Sequence, residues 1–143
     1  MGVGIVIVRA MERGRATLVL ADDHEALLAA VVRHVEGHFD VLKTVSNGQA
    51  VLDEVARLQP DIVVLDISMP VLNGIDVARI LTATGSPARI VFLTIQADPD
   101  YMRAALGTGA LGYVLKSELA SDLLPCLREA LIGRPFVSPS LTG

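Results

Sequence analysis

The sequence predicts an α/β fold, a doubly wound parallel sheet of five strands covered by five helices. Three observations carry that expectation. From Thr17 onward, short β-rich runs alternate with longer stripes of helical period. Two of the runs, Ile62–Leu65 and Ile90–Leu93, are apolar throughout, as strands covered on both faces are. Finally, parallel strands need right-handed helical crossovers, so five strand–helix units of this size wind onto both faces of one sheet.

Taken in order, Thr17–Ala21 is the first strand. The stripe Leu27, Leu28, Val31, Val32 and Val35 follows Asp23 as a helix that Gly37 stops. Val41–Val45 alternates apolar and polar residues, the pattern of a half-exposed edge strand. Asn47 can cap a helix carrying Val51, Leu52, Val55 and Leu58, which Pro60 ends. After the third strand, Asn73 and Gly74 open a helix with Ile75, Val77, Ala78, Ile80 and Leu81, closed by Gly85 and Pro87. Beyond the fourth strand, Asp98-Pro99 supplies the cap and first turn of a helix through Leu106. Leu111–Leu115 is the fifth strand and Glu118–Leu131 the fifth helix, in which Pro125 removes one main-chain bond.

A chain of 143 residues suits one domain with a real core. Its 52% hydrophobic and 20% charged residues exclude a disordered chain. With 12 basic against 16 acidic residues the net charge is −4, which argues against direct contact with nucleic acid. Cys126 is the only cysteine, so no intrachain disulfide forms, and it reads as a small buried hydrophobe in a reducing compartment. The apolar segment Val3–Val8 is too short to span a bilayer and lacks the flanks of a signal peptide. A cytoplasmic protein without membrane attachment is expected. Residues 1–16 read as an irregular or disordered leader, 17–133 as the domain and 134–143 as a tail.

In a doubly wound sheet the site lies beyond the carboxyl ends of the strands, near the switch in strand order. Asp22, Asp23, Asp66, Thr94 and Lys116 all fall at such ends. Three carboxylates on one edge repel one another unless a divalent cation sits among them, and as hard oxygen ligands they suit Mg²⁺. Lys116 adds a fixed positive charge and Thr94 a hydroxyl donor, completing a cradle for a phosphoryl group. A carboxylate can itself be the nucleophile, and Asp66, on the central strand, is the expected acceptor. Gly107–Gly112 spells GxGxxG, but it ends a helix and enters a strand, so it reads as a turn and not a dinucleotide site. His24 reads as a polar neighbour of the acid pair, and His34 and His38 as solvent-exposed.

Ala21-Asp22-Asp23-His24, then Asp66-Ile67-Ser68-Met69-Pro70 with Gly74, then Phe92-Leu93-Thr94, then Gly109 through Tyr113 to Lys116 form an ordered set. This set resembles the receiver domains of bacterial two-component response regulators, nearest the NarL/FixJ (LuxR-type) subfamily, over roughly residues 17–133. The resemblance implies a flavodoxin-like sheet of strand order 2-1-3-4-5. It implies that Asp66 is the phospho-acceptor, loaded by a histidine kinase, and that Asp22, Asp23, Asp66 and the Ser68 main-chain carbonyl hold Mg²⁺. Lys116 and Thr94 would grip the phosphoryl group, and Tyr113 would be the switch aromatic that turns inward as Thr94 moves. It also implies self-catalysed transfer without sustained turnover, a homodimer through the receiver as a partner class, and DNA contact only through an output domain outside this sequence. The tail from Gly133 to Ser140 resembles the start of the linker to such a helix-turn-helix domain.

Three residues depart from the common pattern. Ser117 follows Lys116 where many receivers have proline, Ile95 brings bulk to the rim after Thr94, and Pro125 lies inside the last helix. The competing class is a Mg²⁺-dependent phosphatase or phosphotransferase with an aspartyl nucleophile on the same fold. Such hydrolases usually carry a second acid two residues after the nucleophile, where this chain has Ser68.

Overall fold

The computed structural model describes residues 14–142, so the expected leader lies outside the described residues except for its last three positions. In chain order it contains β1 (Thr17–Ala21), α1 (Glu25–Val35), β2 (Asp40–Val45), α2 (Gly48–Leu58), β3 (Ile62–Leu65) and α3 (Gly74–Ala83). There follow β4 (Arg89–Thr94), α4 (Pro99–Leu106), β5 (Gly112–Leu115), α5 (Leu119–Leu131) and β6 (Phe136–Val137), with 3-10 turns at Lys116–Glu118 and Pro139–Leu141.

All strand pairs are parallel, in the order β2-β1-β3-β4-β5-β6. The expected order of the first five holds, but the sheet has six strands where five were expected. The added strand comes from the segment read as a tail. Two residues are too few to show an alternating pattern, yet without them β5 would present an open edge of unpaired main-chain groups. The Phe136 amide donates to the Leu111 carbonyl at 2.8 Å, and the Ser138 amide to that of Tyr113 at 2.9 Å.

Each pleat of the central strands feeds two cores. Leu18 and Leu20 of β1 face α1 and α5, packing with Val31, Val35, Leu123 and Leu127. Val19 and Ala21, alternating with them, face α2, α3 and α4 with Val51, Val77, Leu81 and Ala105. β3 is buried along its whole length, which is why it reads as uninterrupted apolar sequence. β2 is the exposed edge; its register against β1 slips by one between Leu18 and Val19, leaving Leu42 unpaired and turned to solvent.

Helix starts follow the cap residues. The side chains of Asn47, Asn73 and Asp98 accept from the amides of Ala50, Asp76 and Asp100 at 2.9, 2.9 and 2.8 Å. Gln59, in the left-handed region at φ 49°, ends α2 before Pro60. The fifth helix begins one residue later than expected, because Lys116–Glu118 first makes a 3-10 turn. Pro125 lies inside it as the sequence requires. His34 is half-buried and not solvent-exposed: α1 turns it against the protein, and its Nε2 is shielded from water. No helix among the described residues is long and apolar enough to cross a membrane.

At the amino end of the sheet the side chains of Thr17 and Asp61 join the two residues by three hydrogen bonds. The buried Asp61 carboxylate accepts from the Thr17 amide at 2.8 Å and from its hydroxyl at 3.1 Å, while the Asp61 amide donates to that hydroxyl at 3.0 Å.

Candidate functional site

β1 and β3 end side by side, with Ala21 opposite Leu65. The Asp66 amide donates to the Ala21 carbonyl at 3.0 Å and the Asp22 amide to that of Val45 at 3.1 Å, fixing both residues where they leave the sheet. Carboxylate oxygens of Asp22, Asp23 and Asp66 consequently lie within 4.8 Å of one another. Asp22 and Asp66 are buried and Asp23 is exposed. Lys116, the first residue past β5, reaches over the end of β4 to put its Nζ 2.7 Å from Asp22 and 3.3 Å from Asp66. The His24 amide donates to the other oxygen of Asp22 at 2.9 Å, so this histidine serves the acid pair through its main chain.

Burial raises the pKa of Asp66 above its ordinary 3.8, and the Asp22 charge raises it further, while Lys116 and the Ser68 main chain pull it down. Burial also pulls Lys116 downward, but its hydrogen bond to Asp22 and the charges of Asp66 and Asp22 outweigh that and leave it raised. The ammonium therefore stays charged at neutral pH, and the ionised Asp66 is held at a free-energy cost. Three carboxylates face one lysine, an imbalance that a divalent cation corrects. Hard oxygen donors at this spacing, one of them open to solvent, fit Mg²⁺ with retained waters. Ser68 lines the adjoining open cleft of about 580 Å³ together with Asp23, Met69, Pro70 and Asn73.

Thr94 closes β4 and is fully buried. Its Oγ1 accepts from the Gln96 amide at 3.1 Å, which leaves the hydroxyl proton to donate elsewhere. Tyr113 of β5 is also fully buried, turned inward, and its hydroxyl donates to the Gln96 carbonyl at 2.6 Å. Burial pushes its pKa up to about 12, with the charges of Asp98 and Tyr101 adding to the effect. One residue thus ties Thr94 to Tyr113. Sequence reasoning missed Gln96 because it acts through its main chain, which no side-chain pattern announces. Ile95, between them, stands out into solvent at 72% exposure. Gly74 is required by contact: a Cβ there would lie 2.1 Å from the Asp66 carbonyl oxygen, so α3 packs directly on the Asp66 main chain.

The chain belongs to the response regulator receiver domain family, whose model matches residues 18–128. It is similar to the uncharacterized transcriptional regulatory protein YvfU of Bacillus subtilis, 35% identical over 127 residues that cover 87% of this chain and 64% of that protein. The nitrate/nitrite response regulator protein NarL of Escherichia coli K12 is 33% identical over 129 residues, 89% of this chain and 60% of that one. The chain therefore spans between 60% and 64% of the length of these two curated relatives. Among solved structures, a LuxR-family two-component response regulator from Aurantimonas sp. SI85-9A1 superposes with a TM-score of 0.84 at 28% identity, covering 89% of this chain and 92% of that one. The signal receiver domain of NarL from Mycobacterium tuberculosis gives 0.80 at 27% identity, covering 83% and 98%.

Proposed function

We propose that this receiver is a phospho-accepting switch in which Asp66 takes a phosphoryl group from the phosphohistidine of a histidine kinase. The observation that carries the reading is the contact of the Lys116 ammonium with both Asp22 and Asp66 inside the three-acid cluster. An Asp66 oxygen attacks phosphorus, the P–N bond breaks, and the imidazole leaves with its electron pair. Asp22, Asp23 and Asp66, with the Ser68 carbonyl, would hold Mg²⁺, which when bound neutralises charge on the phosphoryl oxygens. Lys116 supplies the second positive charge, and Thr94 donates its hydroxyl proton to one phosphoryl oxygen. Movement of Thr94 Oγ1 toward the phosphoryl group would draw it away from the Gln96 amide, whose residue also holds Tyr113. A shift from mostly inactive to mostly active takes about 5.5 kcal/mol of differential stabilisation.

Ser68 provides no carboxyl group for rapid hydrolysis, which supports a lasting aspartyl-phosphate over a phosphatase. YvfU is named a transcriptional regulatory protein and NarL a response regulator protein, and both are longer than this chain, so we assign residues 17–133 as the switch and DNA contact to a separate output domain, with the cytoplasm as its place of action. Intact mass after incubation with Mg²⁺ and acetyl phosphate tests the reading. Wild type should gain one phosphoryl group and Asp66→Asn none. Equal labelling of both, no labelling of either, or sustained turnover of phosphate esters would refute it.

A further inference from the structure

Outside the rim, Ser138 is a buried polar residue without an assigned role. It is fully buried at the end of β6. Its amide donates to the Tyr113 carbonyl at 2.9 Å, and its Oγ accepts from the Leu115 amide at 3.1 Å. In a longer parallel strand the Ser138 carbonyl would take the Leu115 amide. Here that carbonyl accepts from Leu141 at 2.9 Å in the 3-10 turn, and the side chain stands in for the missing ladder bond. The Ser140 hydroxyl bonds the Glu118 carboxylate, and Val137 and Leu141 pack on the same core as Tyr113. The tail therefore grips β5 at two residues. One is Tyr113; the other immediately precedes Lys116. So short an edge strand opens more readily than the central ones.

We propose that Ser138 is a positioning residue for the phosphoryl site. By fixing the Leu115 amide it sets the point from which Lys116 reaches Asp22 and Asp66, and it makes the hold of residues 136–141 on the sheet respond to the group on Asp66. The inference rests on the functional reading above. Coupling of this kind is reciprocal: whatever docking of the tail adds to binding at Asp66, binding adds to docking of the tail.

Amide hydrogen exchange by NMR on the whole chain with Mg²⁺, with and without the phosphoryl mimic beryllium trifluoride, tests it. In wild type the exchange of Leu115 and of residues 136–138, Ser140 and Leu141 should slow by about fivefold or more on addition, the equivalent of about 1 kcal/mol. Ser138→Ala should exchange faster there and bind beryllium trifluoride about fivefold more weakly. Ser138→Thr, which keeps the acceptor hydroxyl, should recover both properties. A merely structural serine would leave wild-type tail exchange indifferent to the probe. A response at Asp66 and Thr94 that stops short of residues 136–141 overturns this inference alone, and so does Ser138→Ala binding the probe as tightly as wild type. No response even at Asp66 and Thr94 refutes the functional reading, and this inference with it.

Discussion

Replacing Asp66 by Asn should stabilise the metal-free fold and abolish most of its response to Mg²⁺. The oxygens of Asp22 and Asp66 lie within 4.8 Å, where the repulsion at an effective dielectric of about 20 is about 3.5 kcal/mol. Lys116, 3.3 Å away, returns about 5 kcal/mol of attraction on the same scale. Asp23 is exposed and screened, so it adds a smaller repulsion. These terms nearly cancel, and burial of the carboxylate then decides the sign. Asn keeps the shape without the charge, while Lys116 retains its shorter contact with Asp22. The expected gain at pH 7 without metal is about 1–2 kcal/mol.

The pH dependence has a definite direction. With its pKa raised above 3.8, folded Asp66 holds its proton more tightly than the unfolded chain does. Its contribution is complete below the ordinary value and is lost as pH rises through the raised one. The gap between variant and wild type should therefore open from about pH 4 upward. Urea unfolding across this range in EDTA, repeated with Mg²⁺, measures both effects. Wild type should gain about 2.7 kcal/mol at a hundredfold excess over its Kd, and Asp66→Asn much less. A variant less stable than wild type in EDTA at pH 7, or a gap that widens as pH falls, would refute the reasoning.

Gly112→Ala should destabilise by about 1–3 kcal/mol, because its Cβ would lie 2.4 Å from the Cys126 sulfur and 3.0 Å from a Val91 methyl. Combining it with Cys126→Ala should recover about 1 kcal/mol or more of the summed cost in a double-mutant cycle, and strict additivity would deny the contact. Val71 holds a left-handed φ of 70° at 75% exposure, so Val71→Asn should raise stability by about 1 kcal/mol without changing the urea m-value. An unchanged midpoint would show that the loop carries no strain there.

What was legible in the sequence follows from which atoms do the work. β3 is visible because burial on both faces leaves no polar residue to interrupt it, and β1 because only its first residue, Thr17, is polar. Asn47, Asn73 and Asp98 are visible because capping is done by their side chains. The acids, Thr94 and Lys116 stand out as polar residues where apolar runs stop, and the fold brings Asp22, Asp23, Asp66 and Lys116 into one cluster. Gln96 and β6 were illegible for the opposite reason. One acts through its main chain, and the other takes its conformation from the open edge of β5. His34 was misjudged because a lone histidine in a helix does not announce which way its side chain turns.

The Thr17–Asp61 clamp keeps the reading frame of the central sheet. β3 and the Leu18–Ala21 stretch of β1 are apolar on both faces, so for them a slip of two residues would leave every side chain on its proper side and hydrophobicity would not object. Such a slip would carry Asp22 about 6.6 Å along the strand relative to Asp66, beyond the 4.8 Å that now groups the acids. The alignment of the rim is thus fixed at the opposite pole of the molecule. A substitution at Thr17, at the far end of the strand from the acids, would loosen the alignment that groups Asp22 with Asp66.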